Sequence, residues 1–147
     1  MEIYEDAFIN TFEATAFQFL NPIENPLSEY DDAGYSVGLC DFNGAINGTF
    51  GLLIHDNAVM EYLNFLFGDE PEMTVTDELK SDSVKELSNV ICGNMISKCI
   101  NAQAADYKIE KPQFIKLESL NALPDASRYT FYVDGYGKIC GFFFNVK

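Results

Sequence analysis

The sequence has little positive charge, and none of it lies in the first half. Nine Lys and Arg side chains stand against 23 Asp and Glu side chains, which gives a formal net charge of −14 at pH 7. Residues 1–79 contain 16 acidic and no basic side chains, whereas residues 80–147 contain seven acidic and nine basic ones. Because such a surface repels a phosphate backbone, we expect no nucleic-acid partner. An anionic group that approaches this protein should meet the second half, or bring its own cation.

Histidine and long apolar runs are also scarce. His55 is the only histidine, so a Cys/His metal site lacks ligands and a Ser-His-Asp system would depend on this one residue. The four cysteines include no C-x-x-C pair, and we expect them to be small buried hydrophobic residues. No apolar run approaches the roughly 20 residues that span a bilayer, and the N-terminus shows no secretory signal. We therefore expect a cytoplasmic protein without membrane insertion.

The chain is nevertheless apolar enough to fold. It has 147 residues, of which 48% are hydrophobic and 14% aromatic. A chain of this length should bury roughly 68–70% of its unfolded surface, so we expect residues 1–147 to form a single domain. Neither G-x-x-x-x-G-K nor G-x-G-x-x-G occurs, so the sequence offers no phosphate-binding nucleotide loop.

Periodicity predicts helices and strands in the order α-β-β-α-α-β-β-β. The predicted helices are Glu5–Phe19, Ala58–Phe67 and about Thr76 to Gln103. The predicted strands are Tyr35–Asp41, Ala45–Ile54, Gln113–Leu120, Tyr129–Val133 and Lys138–Val146. Asn43-Gly44 and Asp134-Gly135 are typical hairpin turns between them. The expected fold class is α+β, with a largely antiparallel β-sheet packed by helices.

The third helix carries a polar stripe. Asp82, Glu86, Asn89 and Gly93 are spaced by 4, 3 and 4 residues, which places them on one face. An apolar stripe on the opposite side should face the sheet; it consists of Val84, Leu87, Ile91 and Met95. On these positions alone an ordinary solvated helix face is the favoured interpretation, since Glu-x-x-Asn often arises by chance. A glycine inside a helix costs about 1 kcal/mol relative to alanine, and it would let another backbone come close.

The spacing continues beyond the helix, because 22 residues separate Asn89 from Pro112. The resulting pattern, Asp82-x3-Glu86-x2-Asn89-x22-Pro112, resembles the signature of the CheC/CheX/FliY family of chemotaxis phosphatases. The expected order of elements is also similar to that family over nearly the whole chain. CheC-type members carry two copies of the Glu/Asn motif, whereas here Ala16 stands where an asparagine would have to follow Glu13. The chain is therefore most similar to CheX, and the resemblance implies a homodimer formed by joining sheets.

The resemblance also implies a reaction, which is hydrolysis of the aspartyl phosphate of a phosphorylated CheY-like response regulator. Glu86 would form a salt bridge with the regulator's active-site lysine, and Asn89 would orient the attacking water. Asp82 and Gly93 would be supporting contacts, and Pro112 would fix the start of a strand. The chain would need no metal or cofactor of its own, since Mg²⁺ would be held by the partner regulator.

Two alternatives remain open from the sequence. A binding module of the same fold would dock a response regulator or a flagellar-switch component without efficient catalysis. A stable domain with a merely solvated polar stripe would do neither. The enzyme is favoured because both the charged residue Glu86 and the amide Asn89 are present, and a pure binder would have no need of the amide.

Overall fold

The computed structural model describes residues 2–22, 34–44, 46–68, 75–99, 107–117, 131–135 and 137–144. Within these residues the helices are α1 (Glu2–Ala16), α2 (Asp56–Phe67) and α3 (Asp77–Cys99). The strands are β1 (Asn21–Pro22), β2 (Tyr35–Asn43), β3 (Gly48–His55), β4 (Lys108–Ile109), β5 (Gln113–Leu117), β6 (Phe131–Gly135) and β7 (Gly137–Phe144). None of the helices in the described part of the chain is long and apolar enough to cross a membrane.

The strands form one antiparallel sheet in the order β1-β6-β7-β3-β2-β4, and β5 pairs with β2 beside β4. Alternate residues of the central strands point to the same face and share one core with the three helices. The strand residues in that core include Cys40, Phe42, Phe50, Leu52, Ile54, Ile139 and Phe143. This arrangement confirms the predicted α+β class with a largely antiparallel sheet packed by helices.

The third helix packs directly on β2, and Gly38 makes this contact possible. A Cβ atom at position 38 would collide with Ser88 Oγ of α3, and would lie 2.8 Å from Ser88 Cβ and 3.2 Å from Val84 Cγ1. Ser88 is fully buried, and its hydroxyl donates a hydrogen bond of 2.7 Å to the carbonyl of Val84. Because β2 is the strand on which α3 packs, this contact fixes the height of the helix above the sheet.

The first helix has the predicted length but lies three residues nearer the N-terminus, at Glu2–Ala16 instead of Glu5–Phe19. It ends at Ala16, because Phe17 adopts a left-handed backbone conformation with φ of 58°. The Phe17 amide still donates to the Glu13 carbonyl at 3.0 Å, and the chain then turns away. Gln18 is buried and its Nε2 donates to the carbonyl of Ala58 at 2.9 Å, while Phe19 is 88% exposed. The periodic apolar residues therefore extended the prediction three residues too far.

The hairpin between β2 and β3 also differs in detail. Asn43-Gly44 does begin the turn, but β3 starts only at Gly48, so the loop is longer than a two-residue hairpin. The Gly44 amide donates to Asn47 Oδ1 at 3.0 Å and closes this loop. The second predicted turn, Asp134-Gly135, lies instead at the end of β6, where Asp134 pairs with Lys138 and Gly135 pairs with Gly137 of β7.

The other predicted elements occur where the structure describes them. The helix α2 begins two residues earlier than predicted, because His55 Nδ1 accepts a hydrogen bond of 3.0 Å from the Asn57 amide and caps it. Because His55 ends an apolar run and stands beside Asp56, the sequence predicts a strand-end histidine near a helix N-terminus, and the structure confirms this prediction. The two-residue strands β1 and β4 were not predicted. The predicted extensions at 100–103, 118–120, 129–130 and 145–146 lie outside the described residues.

Candidate functional site

The burial pattern of α3 separates its two faces as the sequence predicts. Asp82 and Glu86 are exposed, and Asn89 and Gly93 are partly exposed. The opposite stripe is fully or almost fully buried in the core; it consists of Val84, Leu87, Ile91 and Met95. Residues three and four apart are neighbours on a helix surface, so the four positions of the polar stripe lie together on the outward face.

The side chains of Glu86 and Asn89 are not engaged within the described part of the chain. Neither forms a hydrogen bond or an ion pair with any of the described residues. Asn94, on the next turn of the same helix, behaves differently, because its Nδ2 donates to the carbonyl of Val90 at 3.0 Å. The amide of Asn89 and the carboxylate of Glu86 therefore have no bonding partner in the part of the chain that the structure describes.

Glu86 acts electrostatically on α2. The pKa of Tyr62 is raised above its ordinary value of 10.0, mainly by burial of the phenol and secondly by the negative charge of Glu86. Phe65 and Leu66, one turn further along α2, are each 51% exposed, and Phe65 stacks on Phe17 at 3.8 Å between ring centroids. Exposed apolar surface therefore lies near the C-terminal end of α2. Nothing in the sequence pattern signals that Tyr62 lies near Glu86.

Gly93 is not required by packing within the described chain. A Cβ atom at this position would lie 3.6 Å from Ile109 Cδ1, which is an ordinary van der Waals distance. The glycine therefore leaves surface free beside β4 without relieving a collision.

Pro112 immediately precedes β5, as the sequence predicts, and lines an open groove between α3 and that strand. The groove has a volume of about 510 Å³. It is lined by Ser81, Lys85, Lys111, Pro112, Gln113 and Phe114. Sequence reasoning missed the two lysines, although Lys85 adjoins Glu86 and Lys111 adjoins Pro112 in the chain. Their adjacency to the motif was the available signal, but only the fold brings them together.

Two further predictions concern metal ligands and cysteines. No group of three or more His, Cys, Asp or Glu side chains among the described residues is arranged to hold a metal ion. Cys40 and Cys92 are fully buried and free, as expected for small hydrophobic residues. The pKa of the Cys92 thiol is raised, first by its hydrogen bond with Cys40 and then by burial. The Cys92 thiol is therefore held in the unreactive protonated form.

The first helix does not supply a second copy of the site. Ala16 occupies the position that would need an asparagine after Glu13, and its side chain is 1% exposed within the core. The fold and the site together define a class of α+β protein in which one helix presents a single carboxylate–amide pair away from an antiparallel sheet.

A family model described as chemotaxis phosphatase CheX matches residues 36–134, which is more than half of the chain. The protein belongs to the CheX family of chemotaxis phosphatases. The matched region contains α3 with its polar stripe, and it also contains Pro112. No curated protein sequence is a significant match to this chain.

Solved structures show the same fold at low sequence identity. CheX from Vibrio vulnificus has a TM-score of 0.71 at 17% identity, with 97% of this chain and 93% of that chain covered. CheX from Desulfovibrio desulfuricans has a TM-score of 0.72 at 13% identity, with 99% and 97% covered. CheX in the CheX–CheY–BeF3–Mg²⁺ complex from Borrelia burgdorferi has a TM-score of 0.63 at 17% identity, with 97% and 94% covered.

Proposed function

We propose that this protein hydrolyses the aspartyl phosphate of a phosphorylated CheY-like response regulator. The observation that carries the proposal is the pair formed by Glu86 and Asn89, which lie adjacent on the outward face of α3 and are not engaged by the described residues. Membership of the CheX family supports it. A CheX of the same fold forms a complex with CheY, BeF3 and Mg²⁺.

In this mechanism the two side chains have different tasks. Glu86 forms a salt bridge with the regulator's active-site lysine and docks the two proteins. Asn89 enters the regulator's pocket and orients a water molecule in line with the phosphorus atom. Phosphoryl transfer depends on positioning and charge neutralisation more than on covalent help, so an amide that orients water suffices and no group of this chain attacks the phosphate. Asp82 and Gly93 support the contact, and Pro112 holds the start of β5 beside the helix.

The metal chemistry belongs to the partner in this proposal. The regulator's own Mg²⁺ neutralises the phosphoryl oxygens, and this chain contributes no cofactor. Chelation of Mg²⁺ should therefore stop turnover, whereas calorimetry on the isolated protein should detect no tight divalent site. One tight site per chain would contradict this assignment.

Two substitutions test the division of tasks. Glu86→Ala should weaken binding to the regulator and lower turnover, because it removes the charge-assisted contact. Asn89→Ala should leave binding largely intact and slow the catalytic step by roughly 10²–10⁴-fold, the range for positioned groups. Each should change the free energy of unfolding by only about 0.5 kcal/mol, since both residues are on the surface. Single-turnover dephosphorylation and a binding titration measure the two effects separately.

The chain offers a matched control for each variant. Asn94→Ala removes an exposed amide from the same helix that bonds only to its own backbone, and it should leave turnover unchanged. Glu13→Ala removes the carboxylate of α1 that has no asparagine partner, and it should also leave turnover unchanged. If Asn89→Ala keeps wild-type turnover, the water-positioning role is wrong. A non-catalytic module that docks a regulator or a flagellar-switch component would then be the better interpretation.

A further inference from the structure

The groove beside α3 is lined by two lysines that form no ion pair within the described chain. Lys80 pairs with Asp56 at 3.6 Å and Lys108 pairs with Glu110 at 3.5 Å. Lys85 and Lys111, which line the groove, form no ion pair or hydrogen bond with the described residues. In a protein of net charge −14, two unpaired ammonium groups in one groove form a local positive site.

The groove lies next to the outward face of α3. Ile109 is beside Gly93, and residues 112–114 are beside Ser81 and Lys85, so the β4–β5 segment runs antiparallel to the helix. Along the axis of α3, Asn89 lies between Gly93, which is beside Ile109, and Lys85, which lines the groove. Lys85 precedes Asn89 by four residues, or about 6 Å along the helix axis. A partner protein that contacts Asn89 therefore places the neighbouring part of its own surface over the groove.

We propose that this groove binds an acidic surface of the phosphorylated response regulator, next to the phosphoryl group that Asn89 reaches; this inference rests on the proposed function. A phosphorylated partner approaching a protein of net charge −14 is repelled at long range. Lys85 and Lys111 reverse the sign of the local field on one side of the site. Rim charges of this kind act mainly on the association rate, and their effect extends about 8 Å at physiological salt.

The test uses the full chain and a regulator activated with beryllofluoride, which mimics the aspartyl phosphate. The substitutions are Lys85→Gln and Lys111→Gln, singly and together, because glutamine keeps most of the side-chain volume while removing the charge. The double variant should associate about tenfold more slowly at low salt, with a weaker salt dependence than the wild type. Its single-turnover rate in the saturated complex should be unchanged, because neither lysine positions the water.

Lys98→Gln is the matched control. It removes the same charge from α3, and it lies 13 residues from Lys85, or about 20 Å along the helix, which is more than two Debye lengths at physiological salt, so the variants are compared with this control at that salt. Glutamine also keeps a donor for the 3.3 Å hydrogen bond that Lys98 gives to Thr11 Oγ1. This variant should associate at the wild-type rate. An equal loss in Lys98→Gln would show a net-charge effect and would overturn the proposal, as would wild-type association in the double groove variant.

Failure of the proposed function gives a different result. In that case the wild-type protein neither binds nor dephosphorylates any regulator of a panel. This result would also exclude the regulator as the partner that binds the groove. An octaglutamate peptide then tests the groove itself by NMR titration. Shifts at the amides of Lys85 and residues 111–114, lost in the double variant, support an acidic-peptide surface. Unchanged amides there would overturn the groove assignment as well.

Discussion

The contact between Gly38 and Ser88 makes the position of the functional helix sensitive to a single methyl group. In Gly38→Ala the added Cβ would collide with Ser88 Oγ and lie 2.8 Å from Ser88 Cβ. The Cβ atoms on both sides are fixed to backbones, so rotation of a side chain cannot relieve the contact. Either α3 moves away from β2 or the strand bends. Both changes displace the outward face that carries Glu86 and Asn89.

The expected cost follows from two opposing effects. Overpacking of a dense core costs about 1–3 kcal/mol. Replacing glycine by alanine within a strand recovers roughly 0.5–1 kcal/mol, because the unfolded chain loses conformational freedom. We therefore expect Gly38→Ala to lower the free energy of unfolding by about 1–2 kcal/mol. Dephosphorylation should fall further than the lost stability explains, since the site itself is displaced.

A double-mutant cycle checks this reasoning. Ser88→Ala removes the colliding hydroxyl but keeps the Cβ atom, so it should be nearly neutral alone and should rescue part of the loss in Gly38→Ala. We expect a coupling free energy of at least about 0.5 kcal/mol, measured by urea unfolding of the four proteins. Additive effects, or a Gly38→Ala variant as stable as the wild type, would refute the close contact. The unfolding measurement does not depend on the proposed activity.

Three further predictions follow from the same structure. Gly93→Ala should raise the free energy of unfolding by up to about 1 kcal/mol, since the new methyl contacts Ile109 without collision. A less stable variant in thermal unfolding would contradict this. Weaker binding of the regulator by the variant would identify Gly93 as a partner contact. The pKa of Tyr62 is raised in the folded state, so the free energy of unfolding is unaffected by this group below its ordinary pKa of 10.0 and falls as the pH rises above that value. In urea unfolding, Tyr62→Phe should lose less free energy of unfolding than the wild type over the same pH range. Light scattering should give the mass of a dimer, twice 16.5 kDa, in which the two chains pair along the edge strand β5. Ile115→Lys should make the protein monomeric, and a monomeric wild type at micromolar concentration would disprove the dimer.

The faces of α3 could be predicted from the sequence because one periodicity determines both of them. The apolar residues recur at helical spacing, and burial against β2 leaves the opposite stripe outside. The same reasoning placed Pro112 before β5 and His55 at the start of α2. These features depend on neighbours along the chain, which the sequence shows directly.

The errors arose where a distant contact overrides the local pattern. Phe17 ends α1 in a left-handed conformation, and the next residue, Gln18, bonds to Ala58, which is 40 residues away. Nothing in the apolar spacing signals that contact. The strands β1 and β4 are two residues long and have no periodicity to detect. The groove was missed for the same reason, because Lys85 and Lys111 are brought together only by the packing of β5 against α3.

The fold brings several basic residues of the second half of the chain to one side of the sheet. The helix α3 packs at the β2 side of the sheet, where β4 and β5 also lie. Five lysines of the second half are therefore carried by neighbouring segments, and these are Lys80, Lys85, Lys108, Lys111 and Lys116. Nearby carboxylates pair with Lys80 and Lys108, so the charge that remains is concentrated at the groove and the β5 edge. Among the described residues, the unpaired lysines of the groove therefore lie beside the helix that carries Asn89, so an acidic partner that docks there meets a favourable local field.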